Sequence, residues 1–218
     1  MYNITKEGDR LVRKAERRRS MISAARKLFA EYGFENTTMQ NIADEAKVGV
    51  ATLFRYFPRK EDLIIEVVKE AIEQQVPRFE EIIQSNKTGI EKMEDVLFAY
   101  IGFISEEYRE TTKLLEAFEL YIAFIPVETS MLEEIGKAYG KISHIISEIV
   151  KEGKMDGSIQ LSISDEFVWN TILSMFGTAV KKYTLYTFLP DAIVPVPSKE
   201  ELMMLKNVMI SFLKDPIK

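Results

Sequence analysis

The chain has 218 residues, 46% of them apolar and 29% charged, and its formal net charge is −5. It contains no cysteine and one histidine, which excludes disulfides, thiolate metal sites and a cysteine nucleophile. No stretch approaches the roughly 18 consecutive apolar residues of a membrane span, and the N-terminus shows no secretory signal. We therefore expect a cytoplasmic protein with no membrane partner.

Charge is divided unevenly along the chain. Residues 1–60 hold 13 basic and 7 acidic residues, a net charge of +6, whereas residues 61–218 hold 16 basic and 27 acidic residues, a net charge of −11. A basic head on an acidic body suggests that one part meets a polyanion while the other stays in solution. Chance clustering of surface charge is the alternative at this point.

The chain is predicted to be all-α, because apolar residues recur at helical spacing and no segment shows the period of two that a strand requires. A first helix is expected over residues 14–32, with Gly33 at its C-terminal cap. Thr37 or Thr38 is expected to cap a second helix. The residues of that second helix that face inward are predicted to be Met39, Ile42, Ala43 and Ala46.

Residues 37–57 are predicted to form two short helices joined by a tight turn, which is the geometry of a helix-turn-helix. Helical spacing places Leu53, Phe54 and Phe57 on the inward face of the second short helix. Its outward face carries Ala51, Thr52, Arg55 and Tyr56. Hydroxyls suit phosphate oxygens and a guanidinium pairs with guanine, although a solvated surface face would show the same pattern.

A proline ends this motif, and Lys60 opens a linking helix that we expect to run to about residue 82. Five further helices are predicted, over residues 90–104, 111–125, 129–151, 164–188 and 198–213. Residues 190–197 form a proline-rich connector, and Ser198 with Glu201 matches a capping box.

The last two helices carry more apolar surface than one neighbouring core needs. In the helix over residues 164–188 the apolar arc is about 140° wide, and the final helix is apolar nearly all round. A homodimer formed through these two helices would cover the second face. A well-buried pair of core helices is the alternative.

A longer pattern of residues runs through the N-terminal third of the chain. Its positions are Ile22, Ala25, Leu28, Phe29, Gly33, Thr37, Thr38, Ile42, Ala43, Ala46, Val48 and the run from Thr52 to Leu63. Over about residues 17–68 this pattern closely resembles the N-terminal domain of the tetracycline-repressor (TetR/AcrR) family of transcriptional regulators. The match is far more specific than a generic helix-turn-helix.

The resemblance implies a one-component repressor built from two parts. Residues 14–60 would be the DNA-binding domain, followed by the start of the linking helix, and residues 61–218 a helical effector-binding and dimerisation domain. The homodimer would bind a pseudo-palindromic operator in double-stranded DNA and would be released by a small-molecule effector. The alternative is a helical protein-interaction module whose basic head binds an acidic protein without specific DNA binding.

The resemblance also implies which residues meet DNA: Thr38, Gly49, Val50, Ala51, Thr52, Arg55, Tyr56 and Lys60. Among them Thr38 would cap the positioning helix, and Thr52 and Tyr56 would contact phosphates. Arg55 would reach a phosphate or a base edge, and Lys60 a phosphate at the start of the next helix. The three residues from Gly49 onward would lie nearest the bases.

Three positions depart from the family pattern. Lys47 stands where glycine is usual in the turn, so a left-handed conformation there would cost about 1 kcal/mol. Gly49 replaces a frequent serine, which removes one possible phosphate contact, and Phe54 replaces a frequent tyrosine, which puts a hydroxyl contact in doubt. These departures affect the operator preference rather than the fold.

The segment before the motif, residues 10–19, carries six basic residues and one acid. We expect it to reach an adjacent minor groove or additional phosphates. A solvated helix end is an equally good interpretation.

The body is rich in large apolar side chains, which favours a hydrophobic or aromatic effector. The candidate ligand-binding residues are Phe98, Phe103, Phe118, Tyr121, Phe124, Trp169 and Phe176, although each taken singly would also fit plain core. No catalytic, cofactor or metal site is predicted, because His144 is the sole histidine and no phosphate loop or nucleophile elbow is present. We therefore expect a protein that is not an enzyme.

Overall fold

The computed structural model describes residues 2–160, 164–186 and 196–214, and within those ranges the chain forms eleven α-helices and no strand. The all-α prediction is confirmed. The helices are α1 (Tyr2–Asn36), α2 (Met39–Glu45), α3 (Val50–Tyr56), α4 (Lys60–Glu73), α5 (Val76–Ile83), α6 (Gly89–Gly102), α7 (Glu106–Phe124), α8 (Thr129–Met155), α9 (Asp165–Ile172), α10 (Thr178–Tyr186) and α11 (Lys199–Lys214). None of these helices is long and apolar enough to cross a membrane.

Helix α1 begins at Tyr2, about three turns earlier than the sequence predicted. Its regular geometry breaks at Gly33, whose φ of 78° lies in the left-handed region that glycine enters without steric cost. The buried hydroxyl of Thr37 donates to the Gly33 carbonyl at 2.8 Å and so satisfies one of the free carbonyls at the end of the helix. Gly33 ends the regular helix as predicted.

The predicted linking helix is broken in the structure, since α4 ends at Glu73 and α5 starts at Val76. Pro77 lies in the first turn of α5. If α4 continued into α5 as one helix, Pro77 would have no backbone N–H to donate and its ring would clash with the preceding turn, so a new helix starts here. A second departure lies between α9 and α10, where Leu173–Gly177 forms a π-helical segment inside what was predicted as one uniform helix.

The chain divides into two compact units. The first comprises the described residues up to Ala71 together with Ala117–Ile135, and the second comprises Ile72–Glu116 and the described residues from Gly136 onward. The fully buried side chains that form the centre of the first unit come from α1 to α4. They include Met21, Ile22, Phe29, Ile42, Leu53, Leu63 and Ile64.

In the second unit, α6 starts against the end of α8. A Cβ atom on Gly89 would lie 2.2 Å from the Cα of Gly153, so a side chain at this point has no room. The residues after α8 cap α6, because the Gly89 N–H donates to the Asp156 carboxylate at 2.8 Å and the Ile90 N–H to the Ser158 hydroxyl at 3.0 Å. Two of the N–H groups that a helix start leaves unpaired are thereby satisfied.

Helix α11 packs on α6, and its start is fixed by a local cap. The Ser198 N–H donates to Glu201 at 2.6 Å, and the Glu201 N–H donates to the Ser198 hydroxyl at 3.2 Å. The predicted capping box is therefore confirmed. Of the predicted connector over residues 190–197, residues 190–195 lie outside the described part of the chain.

Candidate nucleic-acid interface

Helix α2 is started by a reciprocal cap between Thr38 and Asn41. The Asn41 N–H donates to the Thr38 hydroxyl at 3.1 Å, while the Thr38 N–H donates to the Asn41 side-chain oxygen at 3.0 Å. The Thr38 hydroxyl also donates to that oxygen at 2.6 Å. Thr38 thus caps α2, as expected, and its hydroxyl would have to rotate to donate to a phosphate instead.

The turn between α2 and α3 requires a left-handed residue, and Lys47 occupies that position with a φ of 55°. Its N–H donates to the Asp44 carbonyl at 3.1 Å, and the next N–H, from Val48, donates to Ala43 at 2.9 Å. These bonds reverse the direction of the chain within four residues. The backbone of the turn therefore requires the left-handed conformation at Lys47, although lysine does not favour it. The left-handed conformation considered for Lys47 from the sequence is present.

Helix α3 has one narrow buried side. Leu53 is fully buried and Phe57, one turn later, is 2% exposed, whereas Phe54 is 45% exposed. The expectation that Phe54 joins this small core was therefore wrong. A residue that follows Leu53 directly points about 100° away from it, so the narrow buried side that holds Leu53 and Phe57 does not include Phe54.

The remaining side chains of α3 lie on its accessible side. Ala51 and Arg55 are exposed, and Val50, Thr52 and Tyr56 are partly exposed. Gly49 is exposed and forms the N-cap in an extended conformation, with a φ of −69°, and its carbonyl accepts the Thr52 N–H at 2.8 Å. The start of α3 thus presents small residues, followed by two hydroxyl groups and a guanidinium.

Lys60, the first residue of α4, holds the preceding segment in place. Its ammonium group donates to the carbonyls of Phe34 at 2.8 Å and Thr37 at 3.2 Å. An ammonium group has three protons, so one remains for a phosphate. Sequence reasoning assigned Lys60 a phosphate contact and missed this second role, because nothing local links residues more than twenty positions apart.

Arg18 ties α1 to the helices that follow α3. Its guanidinium pairs with Glu66 at 2.8 Å and lies over the Phe57 ring, 5.1 Å from the centroid. Burial opposes ionisation of Glu66, but hydrogen bonds from Arg18 and Lys69 outweigh it and lower the pKa of Glu66 below its usual value. The sequence contains no signal for this pair, whose members are 48 positions apart.

The start of α4 also contacts residues 117–135 within the first unit. The Tyr121 hydroxyl donates to Glu61 at 3.2 Å, and the Tyr121 ring lies 5.6 Å from the Phe34 ring. Burial, together with the neighbouring Glu61 carboxylate, raises the pKa of Tyr121 to about 12. Arg59 pairs with Glu128 at 2.5 Å. These contacts fix the helix that follows the motif, and sequence reasoning missed them.

The candidate ligand residues fall into different settings. Phe118 and Tyr121 are buried in the first unit, whereas Phe103 and Phe176 belong to the second unit, where Phe176 is fully buried. Phe98 and Phe124 are 56% and 83% exposed, and the side chain of Trp169 lies outside what the structure describes. The seven residues therefore do not line one enclosed site within either unit, and their ligand role stays a prediction.

Phe103 belongs to an aromatic cluster of the second unit. Its ring centroid lies 5.1 Å from that of Tyr108, 5.4 Å from Tyr100 and 6.4 Å from Phe79. Burial raises the pKa of Tyr100 above its usual value. His144 is exposed, and no group of three or more possible metal ligands occurs among the described residues.

Comparison with known proteins gives a family match that includes α2 and α3. The model of the family described as "Bacterial regulatory proteins, tetR family" matches residues 21–67, which run from α1 into α4. The "Fatty acid metabolism regulator protein" of Bacillus subtilis is 27% identical over 169 residues, covering 76% of this chain and 86% of that protein. The "HTH-type transcriptional repressor KstR2" of Mycolicibacterium smegmatis is 24% identical over 169 residues, covering 78% of this chain and 80% of that one.

A solved structure shares the fold over most of the chain. The transcriptional regulator FadR from Bacillus subtilis, crystallised in complex with stearoyl-CoA, superposes with a TM-score of 0.63 at 22% identity. The superposition covers 91% of this chain and 98% of that one. The likeness therefore extends well beyond the helix-turn-helix.

Proposed function

We propose that this chain is a repressor that binds its operator as a homodimer and leaves it when an effector binds. The chain belongs to the tetR family of bacterial regulatory proteins, which confirms the resemblance seen in its sequence. Its role as a DNA-binding regulator of transcription follows from the family. Repression, dimerisation and release are the proposed part, and a relative named as a transcriptional repressor supports the first of these.

The observation that carries the proposal is the accessible side of α3. Its small leading residues allow the backbone to approach a groove closely, and Thr52, Arg55 and Tyr56 follow with donors suited to phosphates and guanine. We assign the remaining contacts to Thr38 and Lys60 at the ends of the flanking helices. The major groove, about 12 Å wide, admits one such helix.

The homodimer is supported by apolar side chains left exposed on the last helices. On α11, Met204, Val208 and Phe212 follow one another at intervals of four residues and are 63%, 59% and 38% exposed. On the segment from α9 to α10, Phe167 and Met175 are 54% and 47% exposed. A second copy of the chain presenting the same surface would bury both sets in a four-helix interface.

The effector is proposed to be a hydrophobic molecule, with long-chain acyl-CoA thioesters as the first class to test. FadR from Bacillus subtilis was crystallised with stearoyl-CoA, and the curated relative in that organism is named for fatty acid metabolism. The apolar and aromatic content of the body supports a ligand of this kind.

The experiment that tests the function is a mobility shift on the DNA upstream of the protein's own gene. The variant carrying Thr52→Ala and Tyr56→Ala should lose two hydrogen bonds to charged phosphates and bind on the order of 100-fold more weakly. Thr129→Ala, an exposed threonine outside the motif, serves as the matched control and should bind like the unaltered protein. Unchanged affinity of the double variant would remove α3 from the DNA interface.

A further inference from the structure

The first half of α1 stands apart from the core of its unit. Residues 8–17 are all exposed, and the first fully buried side chain of the helix is that of Met21. Leu11 and Val12 are 63% and 57% exposed, so this part of the helix packs on nothing in the described chain. Packing against the core of the unit therefore does not account for the residues found in this segment.

Four cations share one side of this exposed segment. Arg10, Arg13, Lys14 and Arg17 are spaced i, i+3, i+4 and i+7, which places them along one helix face over about 10.5 Å. We call these four residues the basic stripe. The acids Asp9 and Glu16 lie four residues before and three residues after Arg13 and can pair with it, whereas Arg10, Lys14 and Arg17 have no acid at those spacings within residues 8–17.

The base of this segment is attached to the helix-turn-helix. Arg18, one residue past the stripe, pairs with Glu66 of α4 and lies over the ring of Phe57 at the end of α3. The stripe is therefore carried on the same compact unit as α3. Binding of α3 in a groove would therefore bring the exposed part of α1 to the same duplex.

We propose that the basic stripe binds phosphates of the duplex beside the groove that α3 enters, and that it does so as a helix. This inference rests on the proposed function. A helix of about 10–12 Å diameter does not enter a minor groove about 6 Å wide, so the structure favours the phosphate backbone over the minor groove. Duplex DNA carries one charge per about 1.7 Å, which gives about six phosphates over the length of the stripe.

Repulsion between the four cations of the stripe destabilises this part of the helix, and bound DNA would relieve it. Like charges three and four residues apart destabilise a helix, and an exposed helix of this length is marginally stable in water. Phosphates facing the four cations would relieve that repulsion. A polyanionic partner would therefore stabilise this exposed part of α1.

The test uses the full-length protein with all four stripe residues changed to glutamine, a good helix former. Affinity for the upstream duplex and for a scrambled duplex is measured from 50 to 200 mM salt. Each lost phosphate contact lowers the slope of log K against log salt by about 0.9, so the slope should fall by about 3–4 for each bound chain, and by about 7 for a bound homodimer, on both duplexes. Over that salt range the unaltered protein should lose about 100-fold more affinity than the variant for each bound chain.

Arg19→Gln is the matched control, because Arg19 is exposed on the same helix about 180° from Arg10. Compared with Arg10→Gln, it should leave the slope nearly unchanged, and circular dichroism should show that both variants keep their helices. An unchanged slope in the quadruple variant, or an equal fall with Arg19→Gln, would overturn the inference. So would stripe-dependent binding to vesicles of anionic phospholipid with no change on DNA.

The two proposals fail separately in this experiment. If the unaltered protein does not discriminate the upstream duplex from the scrambled one, the proposed function fails. The salt slope on the scrambled duplex still reports whether the stripe binds phosphates. If discrimination is present and the slope does not change, the inference about the stripe fails alone.

Discussion

Replacing Lys47 by glycine should stabilise the protein, because it removes the crowding between the Cβ atom and the backbone that a left-handed conformation imposes. Lys47 has a φ of 55°, and the left-handed region costs a residue with a Cβ about 1–2 kcal/mol. Glycine removes that cost but enlarges the unfolded ensemble by about 0.4–1 kcal/mol. The net gain in the free energy of unfolding should be about 0.5–1 kcal/mol.

The assay is urea denaturation followed by circular dichroism, where the midpoint should rise with an unchanged slope. Lys47→Ala is the control, since alanine keeps the strain and removes the same charge. If Lys47 lies near phosphates, both variants should weaken DNA binding equally, because each lacks the cation. A destabilised glycine variant, or an equal gain for alanine, would refute the argument from backbone strain.

Three further predictions concern helix packing, dimerisation and the effector. In thermal unfolding, Gly89→Ala should destabilise the protein by about 1–3 kcal/mol, because the added Cβ would meet the backbone of α8. Gly136→Ala has open space around the added Cβ and should stabilise the protein by about 0.5–1 kcal/mol. Changing Met204 and Val208 together to glutamate should reduce the mass measured by light scattering from that of two chains to that of one chain of 25.1 kDa. Met155, which is 88% exposed, lies on another helix, and Met155→Glu should leave the mass of the dimer unchanged. Stearoyl-CoA at about 100 times its Kd should raise the Tm by about 5–10 °C and weaken binding to the upstream duplex, with free CoA as the control. Equal effects in each matched pair would contradict the corresponding reasoning.

Features set by neighbouring residues were predictable from the sequence. The glycine that ends the first regular helix, the threonine cap of α2, the left-handed Lys47 and the cap at Ser198 each depend on a few consecutive positions. Their physical causes are backbone sterics and local hydrogen bonds, which act within about four residues. The motif residues could therefore be placed on helices before the structure was known.

Features set by distant residues were not predictable. The Arg18–Glu66 pair, the double role of Lys60 and the contacts of Tyr121 with α4 join positions that are 23 to 60 apart. Periodicity reports which side of a helix is buried, but it does not report which helix covers it. For the same reason, the inclusion of residues 117–135 in the first unit had no counterpart in the pattern of apolar residues.

The exposed Phe54 shows a third limit. A helical wheel assigned it to the core by its apolar character, yet the buried face of a two-turn helix is narrow and Leu53 and Phe57 fill it. In α3 this leaves an aromatic ring beside the residues proposed to meet DNA.

The most direct test of the central claim is the fluorescence anisotropy of a labelled upstream duplex titrated with the full-length protein at a fixed salt concentration near 150 mM. A repressor of this kind should bind the upstream duplex at least about 1,000-fold more tightly than a scrambled duplex, with two chains per site. Equal affinity for the two duplexes at that salt concentration would contradict the account.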